Sequence, residues 1–286
     1  MSTFYDGNGN PITIEGGTSA FGVTDYGLYT DNTGSARQAV LTEDGKRLYP
    51  VNMQEQRQDK IKVYDGGVML TLGDSFTAMM NTNYFDPFAV KHGLVQDNRG
   101  LASSTIAGSA DGTTVGYHAF WVRMDEAIAQ YTAEGGYTIG DTAYTAEDVK
   151  LITFMGGAND WYTVNEEQGI NRIGDAQSED KEQLYGALKY IFPTLQTAFP
   201  NADIVVILQP FGNGYPMRLK EGIVREIAEM YGVPICDCAF EWYSQGNPTD
   251  LATYWQNDEL HLTAAGHQAM IDKLEKTVNN LPFSRS

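Results

Sequence analysis

Cysteine is nearly absent from this chain: two among 286 residues, Cys236 and Cys238. They sit one residue apart in Val233-Pro234-Ile235-Cys236-Asp237-Cys238, which reads as a strand. Alternation along a strand sends such a pair to opposite faces, which argues against a disulfide between them. Basic residues are also scarce, 19 Lys and Arg against 37 Asp and Glu, for a net charge of −18. A field of that sign repels nucleic acid and anionic membrane surfaces, so neither is expected as a partner. No apolar run approaches the length that spans a bilayer. The opening Met1-Ser2-Thr3-Phe4-Tyr5-Asp6-Gly7 has neither a basic region nor an apolar core, so no secretion signal is expected. Histidine numbers four, and His92 and His118 match no metal-ligand spacing. Without a Walker-type glycine loop either, the chain is expected to need no metal and no cofactor.

What is present begins with two short strings. Leu72-Gly73-Asp74-Ser75-Phe76 ends an apolar run from Val68 that reads as a buried strand, so Ser75 falls on the turn at that strand's carboxyl end. Open α/β sheets bind their ligands at that edge. Asp258-Glu259-Leu260-His261 places a carboxylate three residues before an imidazole, close enough to hold one ring nitrogen while the other faces a nucleophile. Each string alone arises readily by chance. A third, Phe154-Met155-Gly156-Gly157-Ala158-Asn159-Asp160, again ends an apolar run, and its Asn159 can aim an amide at the same crevice. Asp74 reads chiefly as a hydrogen-bond acceptor for its own turn.

Residues 1–64 are polar, rich in Gly, Thr, Asn and Asp, with turn signals at Asp6-Gly7-Asn8-Gly9-Asn10 and Glu43-Asp44-Gly45-Lys46 between β-prone runs. They read as a β-rich extension, and 65–286 as one catalytic domain. There the rhythm alternates: strands at Val68 to Leu72, Val149 to Met155, Ile204 to Leu208 and Val233 to Cys236. Helical patterns follow near Tyr117 to Tyr131, Lys181 to Ala198, Met217 to Tyr231 and Ala264 to Asn280. That alternation predicts an α/β fold, a parallel sheet with helices on both faces. Thr132 to Glu147, Trp161 to Glu179 and Phe211 to Tyr215 interrupt it and are the expected substrate loops. Trp161, Tyr215 and Trp255 are candidate pocket walls, although tryptophans are as commonly core.

The order of these strings resembles the SGNH, or GDSL-type, hydrolases over about residues 65 to 280. The four blocks appear as Gly73-Asp74-Ser75, Asn98-Arg99-Gly100-Leu101-Ala102-Ser103-Ser104-Thr105, Gly157-Ala158-Asn159-Asp160 and Asp258 to His267. The resemblance implies a flavodoxin-like three-layer α/β/α fold. It implies Ser75 as nucleophile, His261 as general base and acid, and Asp258 as the group that orients the imidazole. It also implies an oxyanion hole from the Ser75 N–H, the Asn159 amide and a backbone N–H of the second block. That block carries Ser103 where the family has glycine, so Ser103 is the first choice, with Gly100 and Gly108 as alternatives.

The expected activity is a carboxylic ester hydrolase (EC 3.1.1) removing a short acyl group, chiefly acetyl, from a carbohydrate or glycoconjugate. The polar and aromatic loops suit such an acylated small molecule or polysaccharide. The rival activity is an acyl-ester or lysophospholipid hydrolase. Residues 4–11, Phe4-Tyr5-Asp6-Gly7-Asn8-Gly9-Asn10-Pro11, resemble openings of phage tail and other virion-associated proteins. That likeness implies a homo-oligomer or virion partner through residues 1–64, and a carbohydrate-binding structural protein as a further alternative. Location is then expected to be cytoplasmic or on a phage particle.

Overall fold

A computed structural model describes residues 61–112, 114–165, 170–210, 217–239, 252–258 and 260–281, together with three strands nearer the start. The chain divides into two compact units, Met1–Ile61 and Lys62–Ser286. In the first, β1 (Val23–Thr30), β2 (Ala36–Thr42) and β3 (Arg47–Leu48) form an antiparallel sheet in that order. The turn signals at 6–10 and 43–46 lie outside the described residues.

The second unit is built on a five-stranded sheet. Its strands are β4 (Val68–Gly73), β5 (Val95–Gly100), β8 (Val149–Met155), β11 (Asp203–Leu208) and β12 (Ile235–Asp237). The order is β12-β11-β8-β4-β5, and every pairing is parallel. All six residues of β4 are buried, and so are all of β8 but Lys150. Burial on both faces is why these strands read as unbroken apolar runs instead of alternating ones. Helices supply the cover: α1 (Ser75–Met79), α2 (Asp86–Lys91), α3 (Phe120–Thr132), α4 (Leu184–Ala198), α5 (Met217–Met230) and α6 (Ala264–Asn279). Helices α3, α4 and α5 pack in series, while α6 packs on β12. The fold is thus the three-layer α/β/α arrangement. In its core Phe154 meets Phe120 and Phe192 edge to face, with centroids 5.3 Å apart in both pairs.

Strand order reverses direction between β4 and β8, which makes the crevice beyond their carboxyl ends the topological switch point. Ser75 follows β4 and Asn159 follows β8, so both leave the sheet there. The stretch Thr132 to Glu147 does not. It forms a hairpin of β6 (Tyr137–Ile139) and β7 (Thr142–Tyr144) that leads into the amino end of β8, at the opposite edge. The expectation that it shapes the substrate pocket is therefore corrected. A short antiparallel pair, β9 (Val164–Asn165) with β10 (Ile170–Asn171), lies within the 161–179 stretch.

The cysteines form no disulfide, as expected, but their side chains do not point to opposite faces. Cys236 Sγ and Cys238 Sγ lie 3.7 Å apart, both buried and both free thiols. Strand β12 ends at Asp237, so Cys238 lies past the last alternating position and its side chain is free to turn toward Cys236.

Candidate active site

Strand β4 delivers its last residue, Gly73, into a space no side chain can share. A Cβ there would come 1.8 Å from Thr77 Oγ1 and 2.9 Å from the Met155 carbonyl oxygen. Asp74 then caps α1, its Oδ1 accepting from the Phe76 N–H at 3.0 Å. Ser75 becomes the first residue of α1, a position whose N–H has no acceptor inside the helix.

Opposite it stands the fourth block. His261 Nε2 is 3.0 Å from Ser75 Oγ, and His261 Nδ1 is 2.7 Å from Asp258 Oδ2. The other carboxylate oxygen, Asp258 Oδ1, accepts the backbone N–H groups of His261 at 2.9 Å and Leu260 at 3.0 Å. Slight burial raises the Asp258 carboxyl, but these N–H donors and the imidazole outweigh it, and the group stays below its ordinary value. Helix α6 begins directly after this string, capped by Thr263, which accepts from the Gly266 N–H. The result is one hydrogen-bonded line from carboxylate through imidazole to hydroxyl. A hydroxyl so placed can pass its proton to the imidazole as it attacks a carbonyl carbon.

The second block hangs from the end of β5. Leu101 N–H donates to the Gly73 carbonyl at 3.0 Å, so this loop is tied to the strand that carries Ser75. Gly100 N–H donates to Asn98 Oδ1 at 2.6 Å and Gly108 N–H to the Lys181 carbonyl at 3.1 Å, so both alternative donors are already engaged. Ser103 has φ of 65°, the left-handed conformation that glycine holds without strain. Among the described residues its N–H makes no backbone hydrogen bond. From the third block, Asn159 Nδ2 donates to the Ser104 carbonyl at 3.0 Å, which uses one of its two amide hydrogens. Asp160 fixes the same loop from beneath, accepting Ile106 N–H at 3.0 Å and Ala107 N–H at 3.1 Å.

Three residues behind this arrangement carry no signature in the sequence. Gln209, just past β11, donates to Asp74 Oδ1 at 3.0 Å and Oδ2 at 2.8 Å, while its own oxygen accepts the Ala158 N–H at 2.9 Å. It thereby joins the turns of the first and third blocks. Arg123 on α3 donates to the Gly73 carbonyl at 2.9 Å, Ser104 Oγ at 3.0 Å, the His118 carbonyl at 3.1 Å and the Arg99 carbonyl. Lys220 on α5 is buried, and among the described residues its ammonium has no hydrogen-bond partner. Neither of the first two forms a charge pair, since Arg123 bonds to carbonyls and a hydroxyl and the uncharged Gln209 bonds to a carboxylate and a backbone N–H.

Burial dominates the electrostatics. It pushes the Asp74 carboxyl up to about 7, against the opposing hydrogen bonds of Gln209 and the Phe76 N–H. It raises Asp160 as well, with the Ile106 and Ala107 N–H groups opposing. Burial lowers Arg123 to about 10 and Lys220 to about 8, the latter partly restored by the Asp160 charge.

Trp255 is 4 % exposed, a core residue bridged to Leu262, so its ring does not stand open in the crevice. The side chain of Trp161, and Tyr215 altogether, lie outside the described residues.

The fold is a three-layer α/β/α arrangement whose switch point carries a hydrogen-bonded Ser–His–Asp line. The model of the GDSL-like lipase/acylhydrolase family matches residues 71–269. The chain belongs to that family, and its chemistry is ester hydrolysis of the esterase or lipase type. Among solved structures it is similar to a protein from Lactobacillus plantarum, with 24 % identity, TM-score 0.57, and 76 % of this chain and 98 % of that one covered. It is also similar to LAE5, an alpha/beta hydrolase enzyme from the metagenome of Lake Arreo, Spain, at 15 % identity and TM-score 0.48, covering 78 % of this chain and 100 % of that one. Comparison with curated proteins returned no match. No helix among the described residues is long and apolar enough to cross a membrane.

Proposed function

We propose that this chain is a serine esterase that removes short acyl groups, chiefly acetyl, from a carbohydrate or glycoconjugate. The observation that carries the mechanism is the line from Asp258 through His261 to Ser75, at 2.7 and 3.0 Å. Ser75 Oγ attacks the ester carbonyl carbon while its proton passes to His261 Nε2, and Asp258 stabilises the imidazolium that forms. Charge gathers on the carbonyl oxygen, and donors fixed in advance there supply a large share of the acceleration. Those donors are the Ser75 N–H, the Ser103 N–H and the second hydrogen of Asn159 Nδ2.

Collapse of the tetrahedral intermediate breaks the bond to the alcohol, which leaves with the proton from His261. Water then gives a proton to His261 and attacks the acyl-Ser75 carbonyl. The carboxylic acid departs, and Ser75 regains its hydrogen. Preference for a carbohydrate is supported by the net charge of −18, which disfavours anionic lipid surfaces, and by the exposed aromatic ring of Tyr117 in the cavity lined by Ser103.

The test is acetate release from a panel of acetylated polysaccharides by wild type and Ser75→Ala, together with p-nitrophenyl acetate against the octanoate. The expected result is acetate from at least one polysaccharide, acetate preferred over octanoate, and loss of both activities in the variant. Preference for the longer ester would replace the carbohydrate reading with the lipase one. Full activity in Ser75→Ala would remove the mechanism.

A further inference from the structure

A cavity of about 510 Å³ opens beside the second block, lined among the described residues by Ala102, Ser103, Gly116 and Tyr117. Backbone strain gathers around it. Among the described residues only Ser103 and His118 combine a side chain with positive φ, at 65° and 43°. One lines the cavity and the other directly follows Tyr117. Gly116, at φ of 70°, is unstrained as glycine, but a Cβ there would come 2.4 Å from Thr105 Oγ1 and 2.6 Å from the Ala107 carbonyl oxygen. Strained residues persist where the surroundings over-determine them, and such clusters mark functional clefts.

Tyr117 is held as firmly as its neighbours. Its N–H donates to Thr105 Oγ1 and its carbonyl accepts the Thr105 N–H, both at 3.0 Å. The ring stands edge-on to His118, 4.3 Å between centroids at 87°, and the residue remains 43 % exposed. An exposed aromatic whose backbone is fixed on both sides is a platform already in place before a ligand arrives.

We propose that this cavity is the subsite for the alcohol half of the ester, with the Tyr117 ring as a platform for the C–H face of a pyranose. The proposal rests on the esterase reading, because Ser103, the donor which that reading assigns to the ester oxygen, lines this cavity. The chemistry of the lining matches: one aromatic face supplies apolar contact, while Ser103 Oγ and the backbone around Ala102 and Gly116 meet ring hydroxyls. A long acyl chain would leave those polar groups unpaired.

Binding and turnover test this separately, on the full chain. Methyl glycosides of acetylated glucose, xylose and N-acetylglucosamine are titrated by calorimetry into Ser75→Ala, Ser75→Ala with Tyr117→Ala, and Ser75→Ala with Tyr117→Phe. Vinyl acetate turnover is measured on wild type and Tyr117→Ala. At least one glycoside should bind about three- to tenfold more weakly without the ring, the range expected for one ring contact. Binding should survive Tyr117→Phe within about twofold, and vinyl acetate turnover should fall less in Tyr117→Ala than glycoside binding does. Undiminished glycoside binding in Tyr117→Ala, or no binding of any glycoside, overturns the subsite. An equal loss on vinyl acetate does the same, since it reports general damage to the loop. Ring-dependent glycoside binding in a wild type that hydrolyses no ester would keep the subsite and defeat the esterase reading instead.

Discussion

Asn159 spends one amide hydrogen on the Ser104 carbonyl and has a second, which the proposed mechanism assigns to the oxyanion. Asn159→Ala should lower kcat on p-nitrophenyl acetate by about 10²–10³, the cost of removing one oxyanion donor, with KM little changed. A loss below about fivefold would take Asn159 out of that role. Asp74 makes a different prediction, one of stability. Its folded carboxyl is raised to about 7 from an ordinary 3.8, so the folded state holds a proton that the unfolded chain has lost across that interval. The stability this gives is full below about pH 4 and disappears as pH rises through about 7. Asp74→Asn cannot titrate. Relative to that variant, wild type should lose about 1–3 kcal/mol of unfolding free energy between pH 5 and 8 in urea titrations. A constant difference would mean that Asp74 ionises as an ordinary carboxyl.

At the scale of elements, the turn from β4 into α1 places the serine, and Gly73 is its tightest point. Gly73→Ala would drive a methyl into Thr77 and the Met155 carbonyl, displacing the start of α1 and with it Ser75. The expectation is at least a hundredfold loss of esterase activity, checked by kinetics alongside a thermal melt showing a folded protein; near-normal turnover would contradict it. How far the elements were legible follows from their burial. Strands β4, β8 and β11 read as apolar runs because the sheet is covered on both faces. Strand β5 carries no such run because Val95-Gln96-Asp97-Asn98-Arg99-Gly100 is a polar edge strand, its Asp97 satisfied by Arg99 and the Tyr131 hydroxyl. The site divides the same way. Ser75, Asn159, Asp258 and His261 lie in short strings whose spacing is itself the signal. Arg123 and Gln209 act across 50 and 135 residues of sequence, on carbonyl groups and a buried carboxylate, and leave no local pattern.

For the whole molecule, the sheet, its helices and every described site residue belong to the unit Lys62–Ser286. That unit opens on its own anchors: Lys62 Nζ and the Tyr64 hydroxyl both bind Asp203 Oδ2, at 2.5 and 2.7 Å. A chain beginning at Lys62 should therefore fold and keep p-nitrophenyl acetate turnover within about threefold of the full protein, as domains with their own core do. Aggregation or inactivity of that fragment would show that residues 1–61 complete the enzyme. The central claim is that one serine, Ser75, is activated by His261 at the end of β4, and it is tested most directly by a serine-directed fluorophosphonate followed by peptide mapping. The expected result is one adduct per chain, on Ser75, absent from Ser75→Ala and strongly slowed in His261→Ala. No adduct on the folded protein, or an adduct on another serine, would contradict it.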